Sequence, residues 1–361
     1  LLSGSGLRIA EGIMLSIPVV GTYISFFAFG GEFPGDEFIS RLYGIHILLI
    51  PGIILGLITA HMLIVWYQKH TQYPGKGKTN DNVVGYPFMP VYMAKAGGFF
   101  FIVFGITVFL SGVATINPIW AYGPYVPDQI TAGSQPDWYM GWLEGALRAM
   151  PNWETTLWGH TISWNVLIPG AVVLGVIINL MLIYPWLEAK VTGDKREHHL
   201  LDRPRNAPTR TGIGVMSLTF YMMLLIGGGN DIIASQFNLS INAITWAIRI
   251  GIFILPPISF VITKRICLSL QRRDRDKLLH GRETGSIMRL PEGAFVEVHA
   301  PLSDNEKAVI LSKTDITPLP WPEKVDENGV KDPQYKKDHR WARLSHWFFS
   351  DNVPKPTAAE L

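Results

Sequence analysis

Long stretches without a charged side chain are the feature that most constrains how this chain can fold. Runs free of Asp, Glu, Lys and Arg, the last interrupted only by Arg249, occupy residues 42–68, 96–127, 155–187, 211–230 and 232–263. A helix that crosses a bilayer needs about 20 predominantly apolar residues. The sequence therefore predicts an all-α integral membrane protein, a helical bundle with five transmembrane helices.

A further apolar stretch at 12–31 is interrupted by Pro18 and Gly21. Proline removes a backbone donor and breaks a regular helix. We therefore expect two short helices that lie along the membrane surface here, rather than a sixth crossing.

The charge distribution separates the membrane part from a polar tail. Residues 1–267 contain 16 Lys+Arg and 14 Asp+Glu, whereas residues 268–361 contain 15 and 15. Basic residues concentrate in alternate loops and in the tail, while the 128–154 loop contains only Arg148. The excess of Lys and Arg on the cytoplasmic side predicts a cytoplasmic C-terminal extension and an outward 128–154 loop. The alternating stretch at 294–298 and the proline-rich segments beyond it predict a small peripheral fold or a partner-binding arm in the tail.

A single cysteine, Cys267, excludes several classes of protein. It excludes a disulfide framework, a cysteine-based zinc site, an iron–sulfur cluster held by this chain alone and a covalently attached haem. Phosphate-binding glycine motifs are absent from the sequence, which argues against nucleotide-driven chemistry. The net charge of +2 and the dispersed basic residues argue against nucleic-acid binding.

Two histidines, His46 and His61, lie within the first predicted span. Fifteen helical positions correspond to about 22 Å and about 60° of rotation, so both imidazoles can project to one side near opposite membrane faces. Imidazole is an axial ligand of haem iron, and Gly44, Gly52 and Gly56 leave room for flat macrocycles. The pattern favours two stacked haems. In the alternative, each histidine forms a hydrogen bond to a neighbouring helix.

The other eight histidines lie in loops, at span ends or in the tail. They form no second pair of this kind, although each haem needs a second ligand. The chain also starts at Leu1 without an initiator Met or a signal-peptide pattern. We therefore expect an upstream part of a longer protein to carry the second histidine pair.

The outward loop contains Pro-Asp-Trp-Tyr at 136–139 and then a stretch with helical character. In a helix, Asp137 and Glu144 would share a face because they are seven residues apart. Two carboxylates beside aromatic side chains at a membrane surface are suited to accept protons from a quinol. In the alternative, Asp137 is an N-cap and Glu144 pairs with Arg148.

These features together resemble the cytochrome b subunit of quinol–cytochrome c reductases, the bc1 complexes. The resemblance covers residues 1–267 in order and is carried by Ser-Ile-Pro-Val-Val-Gly-Thr at 16–22, by Arg-Leu-Tyr-Gly-Ile-His at 41–46 with the step to His61, by Asn-Pro-Ile-Trp at 117–120, and by 136–139. Asp137 in place of the family's Glu and the long charged tail are most similar to the actinobacterial branch, which uses menaquinol. The resemblance implies that the family's first three membrane helices are absent here.

The resemblance also implies roles for individual residues. His46 and His61 would ligate the iron of two b-type haems, with Gly52 and Gly56 beside them. The menaquinol pocket would be roofed by the segment from Gly6 to Thr22 and walled by Pro136 and Trp138. The residues expected to act in quinol oxidation are Asp137, Tyr139 and Glu144. His70 would belong to the cytoplasmic menaquinone site.

The implied organisation divides the chain into four regions: surface helices at 1–40, a haem-ligating helix and cytoplasmic loop at 41–95, further membrane helices at 96–267 with the outer quinol loop at 118–154, and a cytoplasmic tail at 268–361. The implied partners in the bacterial cell membrane are a Rieske iron–sulfur subunit, a c-type cytochrome subunit, a terminal oxidase and lipid, in a dimeric complex without nucleic acid.

Three other functions remain open on the sequence alone. A non-redox transporter would use the intramembrane histidines and Arg249 for its substrate or for protons. A subunit-IV-like protein of the chloroplast-type complex would carry the loop motif without the His46 and His61 pair. A structural membrane subunit would need neither feature.

Overall fold

The computed structural model describes residues 2–85, 87–114, 117, 119–124, 126, 134–313, 317–325, 329–330, 332–350, 352–357 and 359–360. Five helices in this part of the chain are long and apolar enough to cross a membrane: Phe38–Gln68, Phe88–Val113, Trp164–Thr192, Pro208–Gly228 and Ile241–His280. The predicted five-span, mostly helical membrane protein is confirmed.

The described helices are numbered here along the chain. They are α1 (Leu2–Leu15), α2 (Gly21–Phe29), α3 (Phe38–Gln68), α4 (Phe88–Val113), α5 (Gly141–Ala149), α6 (Trp164–Thr192), α7 (Pro208–Gly228), α8 (Asn230–Phe237), α9 (Ile241–His280), α10 (Asp304–Leu311) and α11 (Tyr335–Phe348). The chain forms two compact units, one of Leu1–Ile64, Gly85–Met181 and Phe220–Ile254, the other of Val65–Val84, Leu182–Thr219 and Leu255–Leu361.

The expected pair of short N-terminal helices is confirmed. Helix α1 ends at Leu15, and α2 begins at Gly21 after a turn in which Val19 has a φ of 69°. Gly21 is required because a Cβ there would overlap the carbonyl oxygen of Met14. The helices α1 and α2 therefore pack closely across the break near Pro18.

Helix α3 is not a uniform α-helix. Residues Ile45–Leu49 form a π turn, which contains His46. In a regular helix, the directions of His46 and His61 would differ by about 60° around the helix axis. The π turn takes up one additional residue, or about 100° of rotation, so the two directions differ by about 40° in the opposite sense. Both histidines thus remain on one side of α3, as expected from their spacing.

The core of the first unit forms around α5. Trp142, Leu143 and Ala146 are buried together with Leu224 of α7. Gly145 permits this packing, since a Cβ there would lie 2.7 Å from the backbone nitrogen of Gly228. The glycine contact fixes the rotation of α5 on α7.

A β-hairpin replaces the start of the predicted 155–187 span. Strands β1 (Glu154–Leu157) and β2 (His160–Ser163) pair antiparallel, with Glu154 opposite Ser163. Trp158 and Gly159 form the turn, both with positive φ, as two-residue hairpin turns require. Threonines and a Trp-Gly turn favour strands here, although residues 155–163 contain no Asp, Glu, Lys or Arg.

The tail in the second unit contains folded elements. Strands β3 (Arg282–Arg289) and β4 (Phe295–Ala300) form an antiparallel hairpin, and β4 contains most of the alternating stretch at 294–298. Helix α11 packs against α9, where the rings of Phe260 and Trp347 stack with centroids 6.2 Å apart. The Lys313 ammonium donates to the carbonyl of Val353 at 2.8 Å.

Candidate functional site

His46 borders an open groove of about 810 Å³ in the first unit. One wall belongs to α3 and includes Leu42 and Ile50, and the other belongs to α1 and includes Gly4 and Gly6. A Cβ on Gly6 would meet nothing within 4 Å. A mostly apolar groove with glycine in its wall and one imidazole fits a flat haem whose iron takes a nitrogen ligand.

His61 lies on the same side of α3, further along the helix. Among the described residues the side chains of His46 and His61 have no hydrogen-bond partner, so this part of the chain gives no support to the alternative of a structural bond to a neighbouring helix. A Cβ on Gly52 or Gly56 would also meet nothing within 4 Å. The surface of α3 is therefore open along both predicted haem positions.

Asp137 lies in a turn that precedes α5. Its backbone carbonyl accepts hydrogen bonds from the amides of Met140 at 2.8 Å and Gly141 at 3.0 Å. Its carboxylate accepts a hydrogen bond of 2.7 Å from the Tyr139 hydroxyl, which raises the pKa of Tyr139. The side chain of Asp137 is not an N-cap, because the N-cap of α5 is Met140.

The expectation that a helix relates Asp137 to Glu144 is wrong, since α5 begins only at Gly141. The hydrogen bond from Tyr139 holds Asp137 in a turn instead. Pro136 is half-buried at the start of that turn, and the Trp138 side chain is 73% exposed beside it.

Glu144 is half-buried and forms an ion pair with Arg148, four residues along α5. This confirms the Glu144 part of the alternative weighed from the sequence, whereas the part that made Asp137 an N-cap is wrong. Burial raises the pKa of the Glu144 carboxyl, and the nearby Asp231 raises it as well, whereas Arg148 opposes both effects. The Glu144 carboxylate therefore binds a proton more readily than an ordinary glutamate.

The structure adds a cluster that the sequence reasoning missed. The Arg148 cluster comprises Glu144, Arg148, Asn230 and Asp231. Arg148 Nη1 lies 2.8 Å from Asp231 Oδ1 and donates to Asn230 Oδ1 at 2.7 Å. Asp231 is the only charged residue between the fourth and fifth predicted spans, and that isolated charge was the available signal.

Asp231 also connects the cluster to the turn that contains Asp137. Gln135 Nε2 donates to Asp231 Oδ2 at 3.0 Å. The backbone of Gln135 is held in turn by the side chain of Asn117, with hydrogen bonds of 2.6 and 2.9 Å. Pro118, Tyr125 and residues 127–133 of the expected outer loop lie outside the described residues.

Arg249 has a structural partner near this site. Its Nε donates to the carbonyl oxygen of Ala149 at 2.7 Å, and its guanidinium lies 5.0 Å from the centroid of the Trp246 ring. The last carbonyls of a helix need such donors because they lack partners within the helix. Arg249 caps α5, which removes the reason for reading it as a transporter residue.

Helix α1 connects the His46 groove with the core around α5. Its first half borders the groove through Gly6, and Ile13 in its second half packs against the cluster of Trp142 and Leu224. Gly170 allows this approach, since a Cβ there would lie 2.9 Å from Ile13. The two candidate sites of the first unit thus share one framework.

In the second unit, His70 is exposed, and its Nδ1 lies 2.8 Å from the carbonyl oxygen of Thr71. His199 has a more constrained position, with Nδ1 2.6 Å from the Asn80 carbonyl and Nε2 3.2 Å from the Gln68 carbonyl. Both carbonyls are acceptors, so both ring nitrogens need a proton. These bonds raise the pKa of His199.

Comparison with known proteins gives consistent results. Residues 1–124 match the sequence profile of the family described as cytochrome b (N-terminal)/b6/petB. The chain is 57% identical over its whole length to the cytochrome bc1 complex cytochrome b subunit of Streptomyces coelicolor. Over 84% of the chain it is 53% identical to the subunit of that name in Mycobacterium tuberculosis and 51% identical to that of Corynebacterium diphtheriae. The chain spans 66% of the Streptomyces protein, 55% of the mycobacterial one and 56% of the corynebacterial one.

Proposed function

Because the chain belongs to the cytochrome b family, we propose that it forms part of the cytochrome b subunit of an actinobacterial menaquinol–cytochrome c reductase. Menaquinol is oxidised at the outer face and releases two electrons and two protons. One electron goes to a Rieske iron–sulfur partner and the other crosses the membrane to a quinone on the cytoplasmic side. This contributes to the proton gradient.

The observation that carries the proposal is the shared framework of α1. It borders the groove of His46 through Gly6 and packs on the α5 core through Ile13. A quinol bound beside the turn at 136–139 would therefore lie near the proposed haem at His46, and the two positions would be connected by α1 and the α5 core. Rigid positioning of donor and acceptor is what the protein contributes in cofactor chemistry.

His46 and His61 are proposed to hold two b-type haems, with Gly52 and Gly56 giving room at the helix surface. When bound, the haems supply one-electron acceptors and donors across the membrane. A further ligand for each iron would come from another part of cytochrome b. No residue in the most apolar part of α3 is buried. The surface of α3 is therefore available for contacts with these neighbours and with lipid.

Proton transfer is assigned to the outer carboxylates. Asp137 is exposed and receives the Tyr139 hydroxyl hydrogen bond, while Glu144 is half-buried with a raised pKa. A general base works best when its pKa is close to the operating pH. Glu144 is therefore proposed as the principal proton acceptor, with Asp137 passing protons towards the outer water.

The remaining assignments follow from the same proposal. The chain's one cysteine cannot hold an iron–sulfur cluster, so the Rieske centre and the c-type haem belong to other subunits. A terminal oxidase and a second copy of the complex complete the proposed assembly. His70 is placed at the cytoplasmic quinone site, and residues 268–361 form a cytoplasmic tail, as the basic loops indicate.

The test is a reduced-minus-oxidised spectrum of membranes containing the full-length subunit. We expect two b-type signals, one lost in His46→Gly and the other in His61→Gly, and each restored in part by added imidazole. His160→Gly, in the exposed strand β2, is the matched control and should retain both signals. Absence of any b-type signal in the wild-type protein, as a transporter or structural subunit predicts, would overturn the proposal. So would retention of both signals in the His46→Gly, His61→Gly double variant.

A further inference from the structure

Arg148 lies between two carboxylates that come from different elements of the first unit. Glu144 belongs to the same helix, α5, and Asp231 belongs to α8. The two ends of the guanidinium are used differently, because Nη2 binds Glu144 whereas Nη1 binds Asp231 and Asn230. One cation thus serves two carboxylates, and they compete for its charge.

The contacts of the two carboxylates are unequal. Asp231 Oδ1 also accepts the backbone amide of Ile232 at 2.9 Å, and Oδ2 accepts the side chain of Gln135 at 3.0 Å. For Glu144 the structure records one side-chain partner among the described residues, which is Arg148. Proton uptake by Glu144 would therefore break a single ion pair and leave the Asp231 side of the cluster in place.

We propose that Asp231 is a positioning residue for proton transfer from menaquinol, since it retains Arg148 when Glu144 becomes protonated and so releases the neutral Glu144 side chain. The inference rests on the proposed function. In the step, the quinol O–H bond breaks and an O–H bond forms on Glu144, while the electrons leave to the one-electron acceptors already assigned. The charge of Arg148 is then balanced by Asp231.

The titratable and charged groups of the first unit on the elements packed around α5 are Arg148 on α5 itself, Asp231 on α8, Tyr221 on α7, Arg249 on α9, and Asp137 and Tyr139 in the preceding turn. Helix α1 adds Arg8 and Glu11, which pair with each other at 2.9 Å. Arg249 is directed at the Ala149 carbonyl and Tyr139 at Asp137. Asp231 is therefore the negative charge that opposes Glu144 at the Arg148 guanidinium.

The test measures menaquinol oxidation against pH in the assembled complex. A required base gives a rate that rises with pH through its pKa. Asp231→Asn removes a negative charge and leaves Arg148 to Glu144, so the acid limb of kcat should move to lower pH by about 0.5 to 1 unit. Asn230→Asp adds a negative charge at Nη1 and should move the limb to higher pH. Asp231→Glu restores the charge and should return the limb towards its wild-type position.

Two further variants separate this inference from the proposed function. Ser235→Ala, also on α8, is the matched control and should leave the limb in place. Glu144→Gln should abolish the limb, and its persistence would refute the base role of Glu144. If Glu144→Gln abolishes the limb but Asp231→Asn and Asn230→Asp only lower the rate equally at every pH, Asp231 is merely structural and the inference fails. Asn230→Asp keeps the test available if Asp231→Asn does not assemble.

Discussion

The contact between α5 and α7 predicts a large effect from a single added methyl group at Gly145. A Cβ at this position would lie 2.7 Å from the Gly228 nitrogen and would overlap the Leu224 carbonyl. Both are backbone groups, so neither can turn aside as a flexible side chain does. To accept the methyl group the helices must separate by about 1 Å, which forfeits about half of the dispersion attraction of each contact across the interface.

The sign of the effect follows from two opposed contributions. Replacing Gly by Ala inside a helix favours folding by about 1 kcal/mol, whereas overpacking a filled interface costs about 1 to 3 kcal/mol, and more against rigid backbone. Gly145→Ala is therefore expected to destabilise the complex by about 1 to 2 kcal/mol. Gly214→Ala on α7 is the matched control, because a Cβ there meets nothing within 4 Å, and it should be neutral or stabilising.

The assay is the half-life of the b-type absorbance in the detergent-solubilised complex at one elevated temperature. Such assemblies unfold irreversibly, so their stability is measured as a rate of inactivation and not as an equilibrium free energy. A change of about 1.4 kcal/mol in the barrier is a tenfold change in rate. If the contact between α5 and α7 is largely broken in the transition state for inactivation, the whole loss of stability lowers the barrier. The b-type absorbance of Gly145→Ala should then decay about tenfold faster than that of wild type. Equal half-lives for Gly145→Ala and Gly214→Ala would refute the reasoning.

Three further predictions concern groups at the ends of helices and in the second unit. Arg249→Met leaves the Ala149 carbonyl without its donor and should cost about 1 to 3 kcal/mol, seen as faster thermal decay, with Arg249→Lys partly restoring stability. Because the pKa of His199 is raised in the folded protein, protonated His199 stabilises the fold fully below its ordinary pKa, and this stabilisation is lost as pH rises through the raised value. Hydrogen exchange of residues 68–84 should therefore accelerate with pH by more than the intrinsic exchange rate does in the wild-type protein, but not in His199→Gln. Asp274→Asn removes a buried partner of two arginines and should lower the free energy of unfolding by about 3 kcal/mol, which is measured as faster hydrogen exchange. Asp304→Asn removes one partner of an exposed ion pair and should leave hydrogen exchange unchanged.

The number of membrane helices was predictable because charge is excluded from a bilayer-spanning segment whatever its neighbours are. The ends of these segments were not, since absence of charge does not distinguish a helix from an apolar loop or a hairpin. The predicted span at 96–127 thus ends as a helix at Val113, and that at 155–187 begins as one at Trp164. The hairpin of β1 and β2 depends on pairing of the two strands across the turn at 158–159, which the absence of charge does not record.

At the candidate site, local spacing predicted local contacts and nothing more. The pair of Glu144 and Arg148 follows from a separation of four residues on a helix. The contacts of Asp231 with Gln135 and Arg148 join segments that are far apart in sequence, and no periodicity records them. The helix start at Gly141 was also missed, because residues 137–140 form a turn in which the Asp137 carboxylate binds the Tyr139 hydroxyl and not a backbone amide of α5.

The packing of α5 explains why a proton would be handled here by a side chain and not by a moving helix. The buried positions Trp142 and Ala146 lock the helix to α7, and Gly145 leaves no clearance for rotation or sliding. Glu144 extends from this fixed helix and is half-buried, so a change in its charge cannot be relieved by shifting α5. The response left to the site is a change of partner, from the Arg148 guanidinium to the proton itself, with Asp231 keeping the guanidinium paired.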